Sequence, residues 1–184
     1  MRMEYPKRKM PRHPIYDYNT PGYYFITLCT KEKAKILGEI VGRSLPDAPD
    51  TTTLQQRSIL EAAPYIQYSK YGETACRQLD HMASFYKEIT LEKYVVMPNH
   101  IHMILHINRI ISHENDDKLR RNALVSRFVG TFKRFCNKQY GQNIWQTSFH
   151  DHVIRNEKDY LKIWEYIENN PLKWTLDCFY GDQP

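Results

Sequence analysis

A chain of 184 residues with 41% hydrophobic side chains can bury one substantial core, and its length demands no second one. A formal charge of +5 and a pI near 8.9 become informative only where the basic residues concentrate. The sequence contains no apolar run of membrane-spanning length, no signal-peptide core and no CxxC pair among Cys29, Cys76, Cys136 and Cys178. A cytoplasmic protein with reduced thiols and no membrane partner is therefore expected.

Residues 1–21 place Lys7, Arg8, Lys9 and Arg12 among Pro6, Pro11, Pro14 and Pro21, the composition of an extended basic arm. Tyr23 to Thr30, bounded by Pro21 and Gly22, is aromatic and β-branched and reads as a first strand. A short strand follows around Ile36 to Val41, and the proline- and threonine-rich stretch from Ser44 to Thr53 breaks regular structure as a surface loop. From Gln55 to Phe85 the pattern is helical, with breaks expected near Pro64 and Gly72, and Ile89 to Met97 returns to strand composition. Pro98 and Asn99 turn the chain directly into His100 to Ile107, so the two strands should pair as an antiparallel hairpin.

His100, Ile101 and His102 carry the most chemistry. Side chains alternate across a strand, so the two imidazoles share a face while Ile101 anchors the strand in the core, which makes them a candidate metal-ligand pair as against two packed core histidines. His106 shares that face but sits about 13 Å beyond His102, where a wall residue is expected. The second such spacing, His150 and His152, has Asp151 between its imidazoles. Asp151 cannot anchor a buried strand, so a solvent-facing or edge pair is expected there.

A long helix is predicted over 118–140, ended by Gly141, with seven basic residues and no acidic one. Leu124, Phe128, Phe132 and Phe135 mark its buried face. Arg120, Arg127, Arg134 and Lys138 cluster within about 40° on the opposite side, a phosphate track without the mixed signs of an ordinary solvated face. Trp145 to Ile154 reads as extended, and Asn156 caps a last helix that Pro171 closes after Asn170. Tyr160, Ile163, Trp164 and Ile167 form its packed face. Tyr166 falls about 110° and Asn170 about 70° from the centre of that face, on one flank, so the phenol and the amide stand together. A phenol with a reference pKa of about 10 attacks only where cations or a metal assist it. The order β, α, β, β, α, β, α predicts an α+β split βαβ sandwich, an antiparallel sheet with the histidines on a central strand and helices on one face.

Tyr94-Val-Val-Met-Pro-Asn-His-Ile-His102, then Trp145-Gln146, His150-Asp-His-Val-Ile-Arg-Asn-Glu157 and Tyr166-Ile-Glu-Asn-Asn-Pro171, resemble in this order the single-tyrosine HUH transposases, and among them the REP-associated tyrosine transposases. Pro21 to Thr30 fits as well, so the likeness spans residues 8 to 174. The resemblance implies a ferredoxin-like fold, His100 and His102 as metal ligands, Asn170 completing the metal site where insertion-sequence relatives carry glutamine, and Tyr166 as nucleophile. It also implies a metal-dependent endonuclease and strand transferase that acts through a 5′-phosphotyrosine on single-stranded DNA ends that fold into hairpins. Mg2+ or Mn2+ is the expected ion and no nucleotide cofactor is expected. A monomer is favoured over a homodimer with exchanged helices. The expected organisation is the arm at 1–21, one catalytic domain over 22–174 with an insertion at about 44–53, and a C-terminal tail at 175–184. Phe149-His150 departs from the tyrosine-type pair usual before Asp-His-Val. The competing reading is a sequence- or structure-specific DNA-binding regulator whose catalytic site is unused.

Overall fold

The computed structural model describes residues 20–42, 64–108 and 124–180. Lys7, Arg8, Lys9 and Arg12 of the expected arm, the expected loop at 44–53 and Arg120 lie outside the described residues.

Four strands form one antiparallel sheet: β1 (Gly22–Cys29), β4 (Ile89–Val96), β5 (His100–Ile107) and β6 (His150–Ile154), in spatial order β4-β5-β1-β6. The two strands at the centre are the most apolar, and alternation sorts their side chains. Tyr24, Ile26 and Leu28 on β1 and Ile101, Met103, Leu105 and Ile107 on β5 are buried in one core cluster, whereas Phe25 and Thr27 face the other way with His100, His102, Ile104 and His106. Helices α1 (Lys70–Phe85) and α2 (Leu124–Tyr140) cover the first face. In chain order β1, α1, β4, β5, α2, β6 is the expected split βαβ sandwich.

The last helix, α3 (Glu157–Asn169), lies across the opposite face, where Ile167 packs with Ile104 and Ile154 and is bordered by Tyr160, Ile163 and Trp164. Its Asn156 cap accepts from the Asp159 N–H, as the sequence predicts. Only Arg155 and Asn156 separate β6 from α3, so the helix must fold back over the face on which β6 ends. The histidines therefore look at α3 and not at the other two helices.

Two features differ from expectation: α3 lies on the sheet face opposite α1 and α2 where helices on one face were expected, and one strand stands where helix was expected. Tyr65–Tyr68 is not helical but a strand, β3, paired with β2 (Gly38–Val41) in a separate two-stranded ribbon. Its partner lies far away in sequence, so long-range pairing overrides a four-residue local pattern. Gly72 is not a break either. It sits in the first turn of α1, where an added Cβ would lie 1.9 Å from the Leu37 carbonyl oxygen, so glycine is there because the backbone just before β2 crosses the helix start. Ser69 caps α1, accepting from the Tyr71 and Gly72 N–H groups, and donates its own hydroxyl proton to the Ile36 carbonyl. On α2 the buried stripe runs Leu124, Phe128, Phe132 and Cys136, the helical spacing, while Phe135 packs beside Phe85 at 5.2 Å.

Candidate active site

The site grows from the register of β1 against β5. His102 lies opposite Thr27 and His100 opposite Cys29, and both imidazoles are buried. Each ring is held by one nitrogen, His102 Nδ1 at 2.8 Å from Thr27 Oγ1 and His100 Nδ1 at 2.9 Å from Asn99 Oδ1. His100 Nε2 is left without a partner among the described residues, and His102 Nε2 faces helix α3. This is how metal-binding histidines are usually oriented, with the second nitrogen tied to a neighbour.

Helix α3 delivers the phenol. Tyr166 Oη is 3.1 Å from His102 Nε2, its ring meets that of His102 at a centroid distance of 5.1 Å, and it stays 39% exposed on the solvent side. Asn170, one turn on, is buried with its Oδ1 unpartnered among the described residues, and its Nδ2 donates to Asp177 Oδ2 at 2.8 Å. The structure thus brings all four expected residues of the catalytic and metal set together within a single chain.

It also adds residues that sequence reasoning missed. After Pro171 the chain passes through the short 3-10 turn Trp174–Leu176 and lays residues 177–180 over the histidines. Asp177 accepts from Tyr166 Oη at 3.0 Å and, through its other oxygen, from the Phe179 N–H at 2.7 Å. The Phe179 ring stands 4.6 Å from that of His100. No periodicity announces these residues, since they lie on irregular backbone; the closely spaced Trp174, Asp177, Phe179 and Tyr180 are the only signal.

Burial dominates the electrostatics. It pushes the His100 imidazole down to about 4 against the opposing pull of Asp177, and holds His102 well below its ordinary value too, with His100 as a second cause. Both rings are therefore neutral near pH 7 and present lone pairs. Burial, then the Asp177 charge and hydrogen bond, raise the Tyr166 phenol well above its usual value. One ligand atom each from His100, His102 and Asp177 lies within 4.8 Å of the others. His100 Nε2 and Asn170 Oδ1 have no hydrogen-bond partner among the described residues. A buried polar atom left unpaired costs about 1 to 3 kcal/mol, so two at one spot call for a guest that accepts both lone pairs. Two neutral imidazoles, one carboxylate and one amide oxygen fit a divalent cation in charge and donor type.

The other expected residues stand elsewhere. Arg127, Arg134 and Lys138 are exposed on the outer side of α2, across the sheet from the histidines, and the two arginines line a groove of about 490 Å3 with Phe85, Tyr86 and Thr131. Lys133 turns inward from the same helix to donate to the Gln146 and Ser148 carbonyls. His150 and His152 are exposed at the sheet edge as expected, where His152 pairs with Asp159 at 2.8 Å. His106 is a wall residue, stacked on Tyr23 at 4.1 Å and paired with Glu92. All four cysteines are free thiols.

Comparison with known proteins adds the lineage. No family model matches the chain. A Haemophilus influenzae protein without an assigned function is 27% identical over 190 residues, covering 95% of this chain and 94% of that one. A second Haemophilus influenzae protein, assigned to the REP-associated tyrosine transposases, is 30% identical over 130 residues, 56% of this chain and 70% of that protein. The Escherichia coli K12 REP-associated tyrosine transposase is 33% identical over 101 residues, half of this chain and 55% of its own length. A solved structure of a REP-associated tyrosine transposase bound to a REP hairpin shares the fold, with a TM-score of 0.51 at 20% identity over 89% of this chain and 73% of that one. The chain belongs to the REP-associated tyrosine transposase family. Among the described residues no helix is long and apolar enough to cross a membrane.

Proposed function

We propose that this chain nicks and rejoins single-stranded DNA beside hairpin-forming repeats through a covalent 5′-phosphotyrosine on Tyr166. The observation that carries the reading is the meeting of Tyr166 Oη with His102 Nε2 at 3.1 Å, at the rim of the His100, His102 and Asp177 cluster. Mg2+ or Mn2+ is the proposed ion, held by His100, His102 and the oxygens of Asp177 and Asn170, and when bound it supplies Lewis-acid neutralisation of phosphate charge. Tyr166 stays half exposed, so its oxygen can meet a phosphodiester from the solvent side. As Oη attacks phosphorus, it gives up its proton on its solvent-exposed side, while Asp177, which the phenol faces at 3.0 Å, orients it. The bond from phosphorus to the 3′ oxygen breaks, and that oxygen leaves as a hydroxyl after taking up a proton. The phosphodiester is stored on the protein, so the freed hydroxyl can attack it in turn and reseal the strand without an external energy source.

Arg127, Arg134 and Lys138 form a second contact for phosphates on the far side of the sheet, reached by the folded part of the DNA and not by the scissile bond. Arg120 and the arm residues Lys7, Arg8, Lys9 and Arg12 are proposed to extend that basic surface. All site residues come from one chain, which supports a monomer as the working unit.

A hairpin oligonucleotide with single-stranded flanks, labelled at either end, tests the reading. Incubation with Mn2+ should yield a free 3′ hydroxyl fragment and a protein-linked 5′ fragment, lost with chelator and in His100→Ala or His102→Ala. Cleavage that survives chelation, or that leaves an unlinked 5′ phosphate, contradicts it. The regulator reading draws on the hydrogen bond that engages Tyr166 with Asp177 and on the Phe179 ring over His100. Undiminished biological activity of Tyr166→Phe would favour it.

A further inference from the structure

Asn99 precedes the histidine strand directly, and a turn is all that its place after Pro98 would predict. Its side chain does something else. It is buried, and both amide protons are spent on carbonyl oxygens, those of Lys33 at 3.1 Å and Phe179 at 2.8 Å. A carbonyl oxygen can only accept, so these two bonds fix which end of the amide is nitrogen. The oxygen must then face His100 Nδ1, at 2.9 Å. An amide oxygen also only accepts, so Nδ1 has to carry the ring proton, and Nε2 of the neutral ring keeps its lone pair. That Nε2 is the buried atom with no partner among the described residues, and it belongs to the cluster with His102 and Asp177.

We propose that Asn99 is a positioning residue that locks His100 in its Nδ1–H tautomer and so aims a ready lone pair at the cation site. The inference rests on the metal reading above and adds to it the group that sets the ligand's protonation. The anchor is built deliberately on one side: the Lys33 carbonyl comes from a turn in which Glu32 and Lys33 both hold left-handed backbone, at φ 54° and 53°, a conformation non-glycine residues seldom adopt. On the other side the anchor is the segment carrying Asp177, so one amide ties a ligand's tautomer to the placement of the carboxylate beside it. Thr27, the matching neighbour of His102, cannot impose a tautomer in this way, because a hydroxyl both donates and accepts.

Nitrogen-15 NMR of histidine-labelled, metal-free protein reads the tautomer, and Mn2+ titration reads the site. In the wild type, His100 should show a protonated Nδ1 and a bare Nε2. Asn99→Ala should release the ring to the mixture of a free imidazole, mostly Nε2–H, and weaken Mn2+ binding by roughly 10- to 100-fold. If Asn99→Ala does not fold, the wild-type spectrum decides alone. A wild-type His100 that is Nε2–H, or an Asn99→Ala protein with unchanged tautomer and Mn2+ affinity, overturns the proposal. A wild type that shows the Nδ1–H form but binds no Mn2+ would instead remove the metal reading and leave the role of Asn99 in setting the tautomer standing.

Discussion

Acid should unfold this protein earlier than its carboxylates alone would dictate, because two imidazoles are buried uncharged. For His100 the folded value is about 4 and the ordinary value 6.5. Between these the unfolded chain binds a proton that the folded chain does not, so stability rises with pH across that window and is lost as pH falls through it. At pH 5 the ratio of the two binding polynomials corresponds to about 2 kcal/mol lost relative to pH 7.5 from His100 alone. His102, also depressed by burial, adds in the same direction. The assay is urea unfolding in chelator at the two pH values, where 2 kcal/mol moves the midpoint by about 1 M. His100→Gln should keep the fold but lose about 2 kcal/mol less between pH 7.5 and 5 than the wild type does. Equal pH sensitivity of the two proteins would refute the claim that His100 is buried neutral.

Three further outcomes follow from particular contacts. Gly72→Ala puts a methyl 1.9 Å from the Leu37 carbonyl and should destabilise the chain by about 1 to 3 kcal/mol in denaturant titration; an unchanged midpoint would show that the Leu37 backbone does not press on α1. Asp177→Asn removes a carboxylate whose charge and hydrogen bond hold the Tyr166 phenol up, so that phenol should titrate lower by carbon-13 NMR of labelled tyrosine, and Mn2+ affinity should fall about tenfold or more. Arg127→Ala with Arg134→Ala should weaken binding of different hairpins alike, and should flatten the slope of log affinity against log salt by about 0.7 to 0.9 per arginine. An unchanged slope would remove the α2 groove from the DNA path.

The parts of the molecule that were legible in the sequence are those governed by local periodicity. Aromatic and β-branched composition marks Tyr23 to Thr30 as a strand, and period-two alternation over His100 to Ile107 puts the histidines on one face. The 3.6-residue spacing of Tyr160, Ile163, Trp164 and Ile167 likewise separated Tyr166 and Asn170 from the packed stripe. Periodicity says which stripe of a helix is buried, not which side of a sheet buries it. That is why the position of α3 across from α1 and α2 emerges only from the tight β6 to α3 connection. Tyr65–Tyr68 was misread because its strand state depends on Gly38–Val41 and not on its own pattern. Asn99 and Asp177 were illegible for a related reason. Asn99 acts through hydrogen bonds to residues 66 and 80 positions away, and Asp177 reaches Tyr166 from irregular backbone beyond the last helix.

The central claim is that the Tyr166 phenol, brought to the paired imidazoles by α3, forms the covalent bond to DNA. It is tested most directly by peptide mapping of a trapped adduct. After incubation with Mn2+ and an oligonucleotide whose leaving strand dissociates, the digested protein should carry nucleotide mass on the peptide containing Tyr166, and Tyr166→Phe should carry none. Nucleotide mass on another residue, or an adduct that persists in Tyr166→Phe, would contradict the account.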